Sequence, residues 1–149
     1  MEQLRDRASQ AGDLNLVLVE DDAAYAEIYK FRLERDGYQV ALAADGRSGL
    51  ELIRETRPNL VYLDIRLPGM DGLEVLHSLR ADPTTATLPV VVLSNYDEPQ
   101  LRGEGFQLGV LEWLVKADVT PAALAQRTAS WLRVGGQAES AGEDSSPGG

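Results

Sequence analysis

The thirteen residues LVYLDIRLPGMDG, Leu60 to Gly72, combine an unbroken apolar run, Leu60-Val61-Tyr62-Leu63, with a carboxylate, Asp64, and then a Pro68-Gly69 turn. Continuous apolar character over so short a run, bounded by turn residues, is the pattern of a strand covered on both faces. A single Asp at the end of such a strand is ordinarily a turn former or a helix cap. It acquires chemistry only if other residues converge on it.

Outward from this stretch the same pattern repeats. LNLVLV (Leu14 to Val19) reads as a buried strand, followed by a helix from Ala23 to Asp36 with Ile28, Phe31 and Leu33 expected inward and Gly37 closing it. YQVALA (Tyr38 to Ala43) is a second strand, Asp45 caps a helix through Thr56, and Pro58 leads into the quoted run. Gly72 to Arg80 is a third helix, LPVVVLS (Leu88 to Ser94) a fourth strand, Pro99 to Leu108 a helix weakened by Gly103 and Gly105, and VLEWLVK (Val110 to Lys116) a fifth strand. Thr120-Pro121 supplies the cap and first-turn proline of a last helix running to about Arg133. Five βα units with doubly covered strands predict an α/β fold: a doubly wound, three-layer sandwich on a parallel sheet.

Composition excludes several classes of function. The 149 residues carry a formal net charge of -10, which repels nucleic acid and anionic membrane and favours protein or cationic partners. There is no cysteine, hence no disulfide framework or thiol chemistry. The opening MEQLRDRASQ has no signal-peptide core and no apolar run approaches membrane-spanning length, so a cytoplasmic location is expected. Residues 1–13 read as a polar N-terminal extension, 14–134 as the domain, and 135–149, rich in Gly, Ser and acid, as a flexible tail.

In open parallel sheets, ligands sit outside the carboxyl ends of the strands, where strand order reverses. The strand-closing residues therefore belong to one crevice: Glu20, Asp21 and Asp22 after the first, Asp64 after the third, Ser94 after the fourth and Lys116 after the fifth. Carboxylates from Glu20, Asp21 and Asp64 brought together repel one another, and a hard divalent cation such as Mg²⁺ relieves the repulsion. With charge so compensated, a carboxylate can attack phosphorus, while Lys116 and the Ser94 hydroxyl serve the phosphoryl oxygens. Asp22, directly ahead of AAYAEIY, is assigned instead to capping the first helix.

Acid pair, strand-end Asp, hydroxyl and lysine in this order, with LDIRLPGMDG as the central signature, resemble the response-regulator receiver domains of two-component signalling, the CheY-like fold, from about Leu14 to Arg133. The resemblance implies strand order 2-1-3-4-5 and phosphorylation of Asp64. It implies Mg²⁺ bound by Asp21 and Asp64, by Glu20 through water and by the Arg66 backbone carbonyl. Ser94 becomes the switch hydroxyl, Lys116 the phosphate-sensing lysine and Trp113 the rotameric aromatic, while Arg66 and Tyr96 flank the phosphoryl group and tune its hydrolysis. The implied partners are a sensor histidine kinase or histidine phosphotransfer protein and a downstream protein target, with a phosphorylation-dependent homodimer among the allowed assemblies. Self-phosphorylation and autodephosphorylation are then the chain's only chemistry, not turnover of a substrate.

Rival assignments fare worse. A haloacid-dehalogenase-like phosphatase places a second Asp two residues after its nucleophile, where this chain has Arg66, and a flavodoxin-like binder needs a phosphate cradle where this chain has EDDAAY. A pseudo-receiver, keeping the fold for binding alone, is the alternative, although every part of the site is present. A receiver fragment of a larger regulator is a further alternative, because residues 135–149 cannot build an output domain. His77 is expected on a solvated helix face, and GEGFQLG (Gly103 to Gly109), lying in a helical segment, is not a nucleotide loop. Ala117 stands where proline commonly follows the lysine, so the Lys116–Ala117 peptide is either trans in a reshaped loop or cis at a cost of about 2.5–4 kcal/mol.

Overall fold

The structure, a computed structural model, describes residues 14–148, with side chains through Val134. The expected N-terminal extension, residues 1–13, lies outside the described residues. In chain order the elements are β1 (Asn15–Val19), α1 (Ala23–Arg35), β2 (Gln39–Ala43), α2 (Gly46–Thr56), β3 (Leu60–Asp64), α3 (Gly72–Ala81), β4 (Val90–Ser94), α4 (Pro99–Gln107), β5 (Glu112–Val115), a 3-10 turn (Lys116–Asp118) and α5 (Pro121–Gly148). All strand pairs are parallel, in the order β2-β1-β3-β4-β5.

Alternate residues of each strand feed opposite halves of the core. Leu16 and Leu18 of β1, Leu60 and Tyr62 of β3 and Val91 and Leu93 of β4 meet Tyr29 and Leu33 of α1 and Leu124 and Trp131 of α5. On the other face Val17, Val19, Val61, Leu63, Val90 and Val92 meet Leu50 and Ile53 of α2, Val75, Leu76 and Leu79 of α3, and Trp113 of β5. Each fully buried side chain of this size contributes roughly 1.5–3 kcal/mol relative to exposure. Two filled faces fix the register, since a one-residue slip would exchange the two sets.

Four helix starts are capped by side chains. Asp22 accepts from the Ala24 and Tyr25 N–H groups (3.0 and 3.3 Å), Asp45 from Ser48 (2.8 Å) and Thr120 from Ala123 (3.0 Å). Asp71 and Glu74 form a reciprocal capping box. Each such cap is worth about 1 kcal/mol. α4 is the exception, because Glu98 stands at its N-cap position without giving it a side-chain bond.

Three expectations need correction. Ile28 and Phe31 do not face inward but are 53% and 70% exposed. The buried stripe of α1 is Ala26, Tyr29 and Leu33, spaced i, i+3, i+7, which turns Ile28 and Phe31 to the opposite side. β5 is shorter than Val110 to Lys116: Val110 N–H returns to the Gly105 carbonyl (3.2 Å) after Gly109 at φ +78°, and Lys116 opens the 3-10 turn. The last helix passes Arg133 and continues to Gly148. Gly135 and Gly136 tax it by only about 1 kcal/mol each, and the helix formers Ala138, Glu139, Ala141 and Glu143 follow.

Arg80 makes a connection that no strand or helix pattern announces. Its half-buried guanidinium donates to the carbonyls of Leu108 (2.6 Å), Leu88 (2.8 Å), Ala86 (3.1 Å), Thr85 (3.3 Å) and Gly109 (3.5 Å). One side chain at the end of α3 thus ties the approach to β4 to the turn before β5.

The glycines of α4 differ in what surrounds them. A Cβ at Gly105 would stand 2.9 and 3.0 Å from Cζ3 and Cε3 of Trp113, whereas one at Gly103 would meet nothing within 4 Å. Gly103→Ala is expected to stabilise the fold by up to about 1 kcal/mol and Gly105→Ala to destabilise it by roughly 1–3 kcal/mol, measured by urea denaturation. Equal effects of the two substitutions would refute the close packing of Trp113 on α4.

Candidate functional site

β1 and β3 are neighbours whose onward connections leave toward opposite edges of the sheet, so the crevice opens between their carboxyl ends. Glu20 is the first residue past β1, its N–H on the Ala43 carbonyl at the end of β2 (2.9 Å). Asp64 is the last residue of β3. Lys116 follows β5 directly, and its side chain passes the end of β4 to Asp64, about two interstrand spacings of 4.7–4.9 Å away, where the Glu20 side chain, from the end of β1 one strand further, also meets it.

All three are buried, at 2% (Glu20), 1% (Asp64) and 4% (Lys116) exposure. Lys116 Nζ lies 2.5 Å from Glu20 Oε1 and 3.0 Å from Asp64 Oδ2. The remaining carboxylate oxygens each accept a backbone N–H: Glu20 Oε2 that of Asp22 and Asp64 Oδ1 that of Arg66, both at 3.0 Å. Lys116 is therefore the shared counter-ion of two buried carboxylates, and it also lies 5.1 Å from the centroid of the Tyr25 ring. Burial pushes the Glu20 carboxyl up to about 7, against the opposing pull of Lys116 and the Asp22 N–H. Lys116 moves above its usual value although burial opposes it, because Glu20 and Asp64 hold its proton.

Asp21 is exposed at the mouth of the crevice. One oxygen from each of Glu20, Asp21 and Asp64 lies within 4.8 Å of the others, a hard all-oxygen donor set whose three acids outnumber the one Lys116 charge by two. The donor chemistry fits a divalent cation, as expected from the sequence. Asp22 keeps its carboxylate on the helix cap and His77 is exposed, also as expected.

The side chains of the other residues singled out in the sequence are arranged around this centre, with the Arg66 N–H on Asp64 as a backbone link to it. Ser94 is fully buried, but its Oγ donates to the Tyr96 carbonyl (2.7 Å) and accepts the Tyr96 N–H (3.3 Å), closing the β4–α4 loop on itself. The Tyr96 side chain is 68% exposed. Arg66 turns its guanidinium to Glu98, Nη2 at 2.6 Å and Nε at 3.2 Å from the same Oε1. Trp113 is buried beneath α4, with an indole N–H that has no partner. The Lys116–Ala117 peptide is trans, and the loop is reshaped into the 3-10 turn.

Three contributors are not legible in the strand-end pattern. Glu98 and Tyr25 act through side-chain geometry across elements. Gly72 has a signal, the second glycine of PGMDG: a Cβ there would collide with the Asp64 carbonyl, so glycine lets α3 start against the site's own backbone.

Among known proteins, a family model for the response regulator receiver domain matches residues 16–129. The transcriptional regulatory protein AfsQ1 of Streptomyces coelicolor is 39% identical over 102 residues, which are 68% of this chain and 44% of that protein. The chain spans less than half the length of the curated relatives it matches. A CheY-like receiver domain protein from Methanospirillum hungatei superposes with a TM-score of 0.77 at 26% identity, covering 83% of this chain and 97% of that one. The Mn(2+)-bound form of response regulator Rcp1 superposes with a TM-score of 0.72 at 26% identity, covering 80% and 94%. With the family's sheet order, its buried acids and lysine at the strand ends, and a match across most of its length, the chain belongs to the response regulator receiver domain family of two-component signalling.

Proposed function

We propose that Asp64 is the phosphoacceptor of this receiver domain and that phosphorylation of its carboxylate moves the β4–α4 loop and α4. The observation that carries this is the buried triad, in which Asp64 is held by the Arg66 N–H on one oxygen and Lys116 on the other. The carboxylate is thereby fixed in direction and faced by a cation that the phosphoryl oxygens can take over. A carboxylate oxygen forms the new bond to phosphorus, the bond from phosphorus to the donor's nitrogen or oxygen breaks, and the leaving group carries away the electron pair, a nitrogen leaving group taking its proton from solvent. Hydrolysis by water later returns the carboxylate and inorganic phosphate.

Asp21 and Asp64, with Glu20 through water and the Arg66 carbonyl, would hold Mg²⁺, which supplies charge neutralisation between the acids and the phosphoryl oxygens. The existence of an Mn(2+)-bound form of the similar response regulator Rcp1 supports a divalent cation for this chain. Once phosphoryl oxygens face the site, the Ser94 hydroxyl exchanges its bond to the Tyr96 carbonyl for one of them, and Trp113 repacks against α4. The phosphodonor is a sensor histidine kinase or histidine phosphotransfer protein. It must dock on elements ringing the strand ends, and the outward Ile28 and Phe31 of α1 offer it an apolar face.

Acetyl phosphate with Mg²⁺ is expected to add one phosphoryl group, labile to hydroxylamine, and Asp64→Asn to abolish it, as read by mass spectrometry. Phosphorylation persisting in that variant would place the acceptor elsewhere and favour the binding-only alternative. Millimolar Mg²⁺ should raise the melting temperature, and Asp21→Asn should blunt the rise. Lys116→Ala should lose about 3 kcal/mol of stability, since two buried carboxylates keep no counter-ion, and should gain more from Mg²⁺ than the wild type. A further expectation is kinetic: Arg66 and Tyr96 flank the approach of water, so Arg66→Ala with Tyr96→Ala should shorten the acyl-phosphate lifetime, followed by loss of the phosphorylated mass. An unchanged lifetime would remove both residues from the hydrolysis step.

A further inference from the structure

Glu98 is not part of the strand-end constellation, yet it holds the cation that begins two residues after Asp64. The Arg66–Glu98 pair joins the β3–α3 loop to the first turn of α4 across 32 positions of sequence. Its geometry leaves both partners incompletely served. Nε and Nη2 of Arg66 converge on one oxygen, Oε1, while Glu98 Oε2 is buried without a partner. Glu98 is also the N-cap residue of α4, but its carboxylate makes no bond to the helix, although free N–H groups and the positive end of the dipole stand beside it. The two side chains border an open groove of about 550 Å³ with Pro99, Gln100 and Leu101, so neither is walled into its present position.

We propose that Glu98 is a positioning residue for Arg66, holding the guanidinium away from the phosphoryl position in the unmodified domain. A phosphoryl group on Asp64 adds close to two negative charges and three acceptor oxygens beside the Arg66 backbone, and competes with Glu98 for the guanidinium. A pair whose cation is 64% exposed to water is weak enough to lose that competition. Released, Glu98 is not stranded, because its carboxylate can turn to the uncapped N–H groups of α4. The exchange frees the β4–α4 loop at the same moment that Ser94 leaves the Tyr96 carbonyl. Glu98 therefore opposes phosphoryl binding through Arg66, and this rests on Asp64 being the phosphoacceptor.

The test is the affinity of the purified chain for beryllofluoride in the presence of Mg²⁺. Binding by the wild type, abolished in Asp64→Asn, establishes the underlying assignment; without it, the proposed function fails and takes this proposal with it. Given that binding, Glu98→Gln should bind roughly two- to fivefold tighter, the factor for breaking one partly exposed pair. The same substitution in an Arg66→Gln background should bring no gain, because there is no guanidinium left to release. Asp97→Asn removes an equal charge from the adjacent residue, whose partner is Arg102 at 3.3 Å, and should leave the affinity unchanged. Glu98→Asp, with its shorter reach, provides a second variant that should gain as Glu98→Gln does, and the melting temperature of each confirms that it is folded. No gain in either Glu98 variant, a gain that persists without Arg66, or an equal gain in Asp97→Asn would overturn the proposal.

Discussion

Lys116 sitting between Glu20 and Asp64 is the contact on which the site depends. Three charges are buried in contact with one another, and removing the cation would leave two carboxylates facing each other in a poorly solvated crevice. Such an arrangement is costly to assemble and more costly to break, because the desolvation of each ion is offset only while its partners stay in place. It is tolerable here because each acid also receives a backbone N–H, from Asp22 or Arg66, so three separate strand ends are held to a common point. The parallel sheet supplies the alignment: β1 and β3 end side by side, and β5, two strands beyond β3, is within reach through the long lysine side chain.

The β4–α4 loop is built to a different standard. Ser94 and Tyr96 satisfy each other within the loop, Glu98 leaves α4 uncapped, and α4 itself carries Gly103 and Gly105. Only Gly105 is explained by packing, through the indole of Trp113, whose N–H is buried without a partner. The rigid triad and the weakly held loop meet at Arg66, whose N–H belongs to the first and whose guanidinium belongs to the second.

The continuous apolar runs made the strands legible, and their spacing made the parallel sheet and the convergence of Glu20, Asp21, Asp64 and Lys116 legible with them. Helix caps such as Asp22 could be read for the same local reason: a cap and its N–H groups are two or three residues apart. α1 misled because apolar residues occur all round it, so choosing Ile28 and Phe31 over Ala26 and Tyr29 as the inner stripe had no periodic basis. Arg66–Glu98 and Arg80 were illegible for a further reason. Long polar side chains reach partners 28 to 32 residues away through rotamers that no residue period encodes. The trans Lys116–Ala117 peptide belongs with these, since the sequence left two loop geometries open and the 3-10 turn selects one.

Arg80 bears on how the sheet ends. β5 is an edge strand of four residues, paired on one side only, and a short edge strand would ordinarily fray first. Because the Arg80 guanidinium grips the carbonyls just before β5 and just before β4 together, detaching that edge would strand a half-buried charge as well as break a ladder. The β5 edge is thereby tied into the same cooperative unit as the central strands.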